Sequence, residues 1–194
     1  MREALKGQEF AGDYRLRLHG HRTTLMDIPV GERVIFAMRD PVSRFESAFR
    51  SRQRQGRPRY NVPWTTVEAE VFGTFADANA LAVALGEPGT VAGELARRAM
   101  SEVGHFRPVT NWLGSEHDLA RRGDDIFFVL KQWTLDADFA ELTASLGLDT
   151  KLPQGDTDAH RSPESGGTTI GPIGLAHLRE WYSEDYRILH ALTE

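Results

Sequence analysis

The stretch from Arg33 to Phe49, RVIFAMRDPVSRFESAF, decides how this chain folds. Val34 to Met38 is a continuous apolar run of the kind shown by a strand buried on both faces. Arg39 closes it. Asp40 is a favoured N-cap residue, and Pro41 suits the first helical position, where its missing N–H removes no hydrogen bond, so a helix is expected to start there. Strand, turn and helix then follow without a gap. Such a junction is expected to aim unpaired backbone N–H groups and the positive end of the helix dipole at the point where Arg39 emerges, a place suited to an anion. Along the helix Val42, Phe45, Ala48 and Phe49 form an apolar stripe, while Ser43, Ser47, Arg50 and Arg54 share another face.

Upstream, Tyr14 to Leu18 reads as a strand and LHGHRTTLMDIP as a loop, which puts His19 and His21 at a strand end. Downstream, Trp64 to Leu85 reads as two short helices, with a Thr65/Glu68 capping box and breaks at Gly73 and Asn79. Val91 to Val103 is an amphipathic helix, with Leu95 and Val103 facing inward. A polar turn, Arg121 to Asp125, leads into an apolar strand, Ile126 to Leu130. Asp136 to Leu146 carries Phe139, Leu142 and Leu146 at helical spacing before the C-cap Gly147. A loop rich in Gly, Pro, Ser, Thr and Asp runs from Lys151 to Gly174, and Leu175, Leu178, Tyr182, Tyr186 and Leu189 stripe one closing helix. At least three strands alternating with helices imply an α/β fold in three layers, a parallel sheet flanked by helices on both faces.

A length of 194 residues with 40% hydrophobic content predicts one domain spanning 1–194. The absence of cysteine excludes disulfides, a cysteine nucleophile and zinc–thiolate sites. It also fits a reducing, cytoplasmic setting. No apolar run approaches the ~20 residues of a transmembrane helix, and the first residues lack the apolar centre of a signal peptide. A net charge of -5 provides no global field for nucleic acid, which is not expected as a partner. The cluster RSRQRQGRPR, Arg50 to Arg59, admits three readings: an RNA-binding tail, a solvated helix end broken by Gly56 and Pro58, or a basic flank beside a nucleotide site. It has no aromatic residue before Tyr60, which disfavours the first.

An arginine closing a strand, then Asp-Pro, then a serine eight positions on resembles the 3′-phosphate-binding segment of PAPS-dependent sulfotransferases, most closely the bacterial and carbohydrate-type families. GHFRPVTNWLG from Gly104, FFVLKQWTLDADFAELTASLGL from Phe127 and LREWYSEDYRIL from Leu178 are similar to later segments of the bacterial type, with Gln132 standing where relatives often place a glutamate. The resemblance implies a P-loop NTPase-like sulfotransferase fold with PAPS as co-substrate and no metal. It further implies a hydroxyl-bearing carbohydrate or small-molecule acceptor. It assigns Arg39 and Ser47 to the nucleotide 3′-phosphate, assisted by Arg161 from the loop. A guanidinium fork and a hydroxyl are apt donors for phosphate oxygens.

Sulfuryl transfer also needs a base for the acceptor hydroxyl, and imidazole has an unperturbed pKa near neutrality. HRTTLMDIP resembles the family segment that carries a catalytic histidine, which selects His21, with His19 in reserve. His19 and His21 would share one face of an extended strand, but no third residue at metal-ligand spacing joins them. A strand followed by a lysine-containing glycine loop, which in the family holds the 5′-phosphosulfate, does not occur in these residues: neither GQEFAG nor GGTTIGPIG has that order. The expectation is a sulfotransferase domain starting after its first strand and loop, through a misplaced start codon or as a truncated, non-catalytic nucleotide-binding or interaction domain. Such a domain would expose sheet edges. A P-loop kinase or hydrolase fits less well, since no GKS or GKT occurs.

Overall fold

A computed structural model describes residues 2–7, 9–11, 13–58, 60–152 and 169–193. In chain order the elements are α1 (Arg2–Leu5), β1 (Phe10–Ala11), β2 (Tyr14–Arg15), β3 (Val34–Met38), α2 (Pro41–Gln53), α3 (Thr66–Thr74), α4 (Ala78–Ala84) and α5 (Val91–Glu102). Then follow α6 (Thr110–Leu113), α7 (Glu116–Arg121), β4 (Ile126–Lys131), α8 (Leu135–Ser145), α9 (Pro172–Trp181) and α10 (Ser183–Thr193). The chain is α/β, and it gathers into two compact units: Met1–Arg39 with Thr110–Pro163 and Leu192–Glu194, and Asp40–Val109 with Glu164–Ala191. Among the described residues no helix is long and apolar enough to cross a membrane.

In the first unit β3 and β4 pair in parallel, Ile35 opposite Phe128 and Met38 opposite Lys131, with an irregularity between Val34 and Ile35. The alternation of strand and helix therefore yields a parallel pair as expected, but the described sheet has two strands. Tyr14–Arg15, expected as a third, instead forms a separate antiparallel hairpin with Phe10–Ala11. With one ladder partner each, the apolar strands are incompletely covered: Val34, Ile35 and Phe36 are half-buried, Ala37 is exposed and Met38 alone of β3 is buried. Burial on both faces, expected from the apolar run, is thus not realised along β3. Phe139, Leu142 and Leu146 of the predicted α8 pack with Leu130 and Leu5 to form this unit's core.

The second unit is helical. Val42, Phe45 and Phe49 line its core as their spacing predicts. The Phe106 ring meets Phe45 edge-on at 5.2 Å and stacks on Phe49 at 6.2 Å. The predicted Thr65/Glu68 capping box starts α3. The break expected at Gly73 and Asn79 falls instead at Phe75–Asp77, where the Asp77 carboxylate caps α4 through the Ala80 N–H. Asn79 lies inside that helix and accepts the Gly171 N–H at 2.8 Å. In α5 the buried side comprises Ala96, Ala99 and Met100; Val103 beyond its end is buried and Leu95 half-buried. The closing helix is two helices, interrupted at Tyr182; Leu178 and Tyr182 are buried as expected, and Ile188 rather than Leu189 is buried in the second.

Two glycines mark close approaches. His177 Nδ1 lies 3.2 and 3.1 Å from the Ala82 and Val83 carbonyls, capping the end of α4 from another helix, and its ring occupies the space a side chain at Gly86 would need. Gly93 brings α5 so near the Glu87 carbonyl that a Cβ would sit 1.9 Å from the oxygen.

Candidate functional site

In the first unit the parallel pairing directs the carboxyl ends of β3 and β4 the same way. Met38 opposes Lys131 on the last rung, so Arg39 and Gln132 leave the ladder side by side. In open α/β sheets this is the end where ligands bind. Arg39 is half-buried there. The turn leaving β4 is held by Asp138, a buried carboxylate in the first turn of α8. One of its oxygens accepts the Lys131 N–H at 2.6 Å and the Thr134 hydroxyl at 3.1 Å. The other lies 3.5 Å from the Lys131 ammonium. Two cations, Arg39 and Lys131, thus stand at the strand ends, with one carboxylate engaged in holding the turn. Between the two anchored residues, Trp133 is 55% exposed.

His21 and His19 are also in this unit, exposed, in an irregular segment. The expected strand stops at Arg15, so the alternation that would have put both histidines on one strand face does not apply. The segment is nonetheless well anchored. The Trp112 indole N–H donates to the His21 carbonyl at 2.7 Å. Buried Arg122 donates to the carbonyls of Leu25, Ile28 and Pro29 at 3.0, 3.1 and 3.2 Å while pairing with Asp125. Asp125 in turn accepts the Gly31 N–H at 2.9 Å, where φ is +90°. The Arg122 guanidinium hydrogen bond leads in holding the Asp125 carboxyl below its ordinary range, against desolvation. The sequence predicts a polar turn over Arg121 to Asp125, and the Arg-x-x-Asp spacing of Arg122 and Asp125 is its hint of an ion pair.

In the second unit the start of α2 is built differently from expectation. The Asp40 carboxylate accepts the Ser43 N–H at 2.7 Å and the Tyr186 hydroxyl at 2.9 Å. Pro41 has no N–H, the Val42 N–H supports the Tyr186 phenol oxygen, and the Arg44 N–H bonds the Asp40 carbonyl at 2.8 Å. Burial, followed by the Asp40 hydrogen bond, pushes the Tyr186 phenol up to about 12. The N–H groups expected to await an anion are therefore partnered within the protein, and a negative charge already occupies the helix start. Anion binding near Arg39 must rest on side-chain donors.

Ser47 is half-buried on α2. Its neighbours in sequence serve the helical core. Arg44 donates to buried Asp185 at 2.9 Å and to the Arg107 carbonyl at 2.7 Å, and its guanidinium lies over the Tyr182 ring. Glu46 accepts both the N–H and the hydroxyl of Thr169 at 2.7 Å and lies 3.7 Å from Arg50. Burial raises the Tyr182 phenol strongly.

Within the arginine cluster Arg52 is structural, while Arg54 and Arg57 are exposed, as a solvated helix end would have them. Arg52 is buried, pairs with Glu68 and approaches the Val62 and Pro63 carbonyls. Arg57 bonds the Asn61 side chain at 3.1 Å, and Arg54 is exposed. The helix ends at Gln53 and the chain turns through Gly56, as the glycine and proline predicted. Arg161 and Arg59 lie outside the described residues.

Arg39 and His21 fall in the first unit and Ser47 in the second. The shared carboxyl end of β3 and β4, where Arg39 leaves the ladder, is the candidate site in the first unit. No family model, curated protein or solved structure matches the chain.

Proposed function

We propose that this chain is a PAPS-dependent sulfotransferase domain, cytoplasmic and built on a three-layer P-loop-like plan, that moves a sulfuryl group to a hydroxyl of a carbohydrate or small molecule. The observation that carries the proposal is Arg39 at the shared carboxyl end of two parallel strands, where α/β folds bind ligands. Its guanidinium offers a rigid fork for the nucleotide 3′-phosphate, and the roles of Ser47 and Arg161 at that phosphate rest on the family resemblance alone. His21 accepts the acceptor's hydroxyl proton as that oxygen forms its bond to sulfur and the bond from sulfur to the phosphate oxygen breaks, releasing adenosine 3′,5′-bisphosphate. Positioning and charge stabilisation carry such a displacement.

The second reading is a sulfotransferase-like nucleotide-binding or interaction domain without turnover. Calorimetric titration of adenosine 3′,5′-bisphosphate into the protein and into Arg39→Ala tests what both share. Binding by the wild type, weakened at least ~10-fold in the variant through loss of a charge-assisted contact, is expected; absence of wild-type binding refutes the nucleotide site. Transfer from PAPS to a panel of hydroxyl acceptors then separates the two readings. In the enzyme His21→Ala abolishes transfer and leaves product binding intact, and surviving activity moves the base elsewhere.

A further inference from the structure

We propose that the exposed side chains Arg54, Arg57, Tyr60 and Val62, on the turn that follows α2 in the helical unit, form a docking surface for an anionic lipid bilayer. The surface would hold the protein at a membrane interface without any segment crossing it.

Charge is the first observation. Between Glu46 and Glu68 the sequence holds five arginines and no acidic residue, in a chain whose net charge is -5. The two flanking carboxylates are already engaged: Glu68 pairs with Arg52, and Glu46 lies 3.7 Å from Arg50 while accepting the Thr169 N–H. Arg54 and Arg57 are exposed. Arg57 bonds the neutral Asn61 side chain at 3.1 Å, and among the described residues no carboxylate pairs with either arginine.

The second observation is what folds back beside that charge. In sequence the aromatic residues follow the arginines; in the structure they return to them. At Gln55 and Gly56 the backbone takes φ of +56° and +80°, which reverses the chain. The Tyr60 N–H then bonds the Gly56 carbonyl at 2.9 Å, the Val62 N–H bonds the Gln55 carbonyl at 2.9 Å, and the Trp64 indole N–H bonds the Arg52 carbonyl at 2.7 Å. Tyr60 and Val62, 53% and 51% exposed, are thereby tied to the segment that carries Arg54 and Arg57. Because these internal hydrogen bonds fix the turn, little further ordering is needed for it to dock.

Chemistry selects the partner. At an anionic bilayer, lipid phosphates meet guanidinium groups, amphipathic rings settle at headgroup level and aliphatic carbons enter the acyl boundary. Single-stranded nucleic acid would use the same charges and rings. It has no use for Val62 and Pro63, exposed aliphatic side chains that offer a base neither a ring face nor a hydrogen bond.

Flotation with vesicles of phosphatidylcholine containing about 30% phosphatidylglycerol, and with pure phosphatidylcholine, measures how the full chain partitions, folding of each variant being checked by circular dichroism. Wild type should bind the anionic vesicles, come off as salt is added and leave the neutral vesicles unbound. Each arginine near an anionic surface contributes about 5-fold, so combining Arg54→Gln with Arg57→Gln should weaken partitioning about 30-fold. Val62→Ala withdraws two methyl groups and should weaken it about 4- to 15-fold. Absence of wild-type binding to the anionic vesicles overturns the proposal, as does a double variant that binds like the wild type. A loss in the double variant with none in Val62→Ala overturns it too, because the surface would then attract any polyanion. Tighter binding of single-stranded poly(dT) than of the anionic vesicles, weakened by the same arginine substitutions, would overturn it in favour of nucleic acid.

Discussion

Gly93→Ala tests the closest contact in the helical unit. A Cβ at this position would lie 1.9 Å from the Glu87 carbonyl oxygen, 2.8 Å from its carbon and 3.1 Å from the Ala84 oxygen. To open the first of these to 3.0 Å, backbone must retreat by about 1.1 Å. The carbonyl is not free to move alone, because it accepts the Thr90 hydroxyl at 2.9 Å, and that hydroxyl caps α5 through the Gly93 N–H at 2.9 Å. Overpacking of a tight contact costs about 1–3 kcal/mol, and a disturbed N-cap about 1 kcal/mol more. Replacing glycine in a helix returns about 1 kcal/mol. The net is a destabilisation of about 2 kcal/mol, or a fall of roughly 1 M in the urea midpoint. Gly73→Ala is the matched control: it also sits in a helix, yet a Cβ there meets nothing within 4 Å, so the propensity gain stands alone. Urea unfolding followed by far-ultraviolet circular dichroism reads both. A Gly93→Ala protein as stable as the wild type, beside a stabilised Gly73→Ala, would refute the stated approach of α5 to Glu87.

Two further outcomes follow from buried ion pairs. Arg122→Ala removes donors from three carbonyls and a partner from Asp125, so amide exchange across residues 24–31 should quicken by about 10–150-fold, from the loss of about 1.5–3 kcal/mol of charge-assisted hydrogen bonding; unchanged exchange there, measured by mass spectrometry, would show that Arg122 does not anchor the segment bearing His21. For Glu68, burial opposes ionisation, but hydrogen bonds from Arg52 and the Thr65 N–H outweigh it and hold the carboxyl below its ordinary 4.5. A lowered folded-state pKa contributes stability that is full above the unfolded value and lost as pH falls through the folded one, so the advantage of wild type over Glu68→Gln should be constant near neutrality and shrink below pH 4.5. A gap independent of pH down to 3.5, measured by urea unfolding, would argue that the Glu68 charge is not what stabilises α3.

Much of the secondary structure was legible because it rests on local rules. Asp40 and Pro41 start α2, Thr65 and Glu68 start α3, and Phe139, Leu142 and Leu146 fall on one face of α8, since capping and periodicity involve residues within a turn or two of one another. Misreadings arose where a distant partner decided. Nothing near Asp40 in sequence announces that Tyr186, 146 residues away, shares its carboxylate, so the filled helix start could not be foreseen. Nor does the Arg121–Asp125 turn reveal that Arg122 reaches back 97 residues to the Leu25 carbonyl.

The sequence by itself determined β3, β4 and the helices α2, α3, α5 and α8, that Arg39 closes a strand and directly precedes a helix, and which side chains could grip an anion. Those properties depend on short-range sterics, capping and periodicity. Tertiary structure decided that β3 and β4 pair in parallel and end together, that Tyr14–Arg15 belongs to a different ladder, and that Asp40 and Tyr186 partner the N–H groups at the start of α2. Strand order and the pairing of buried polar groups are settled by which surfaces meet, and residues far apart in the chain set those meetings.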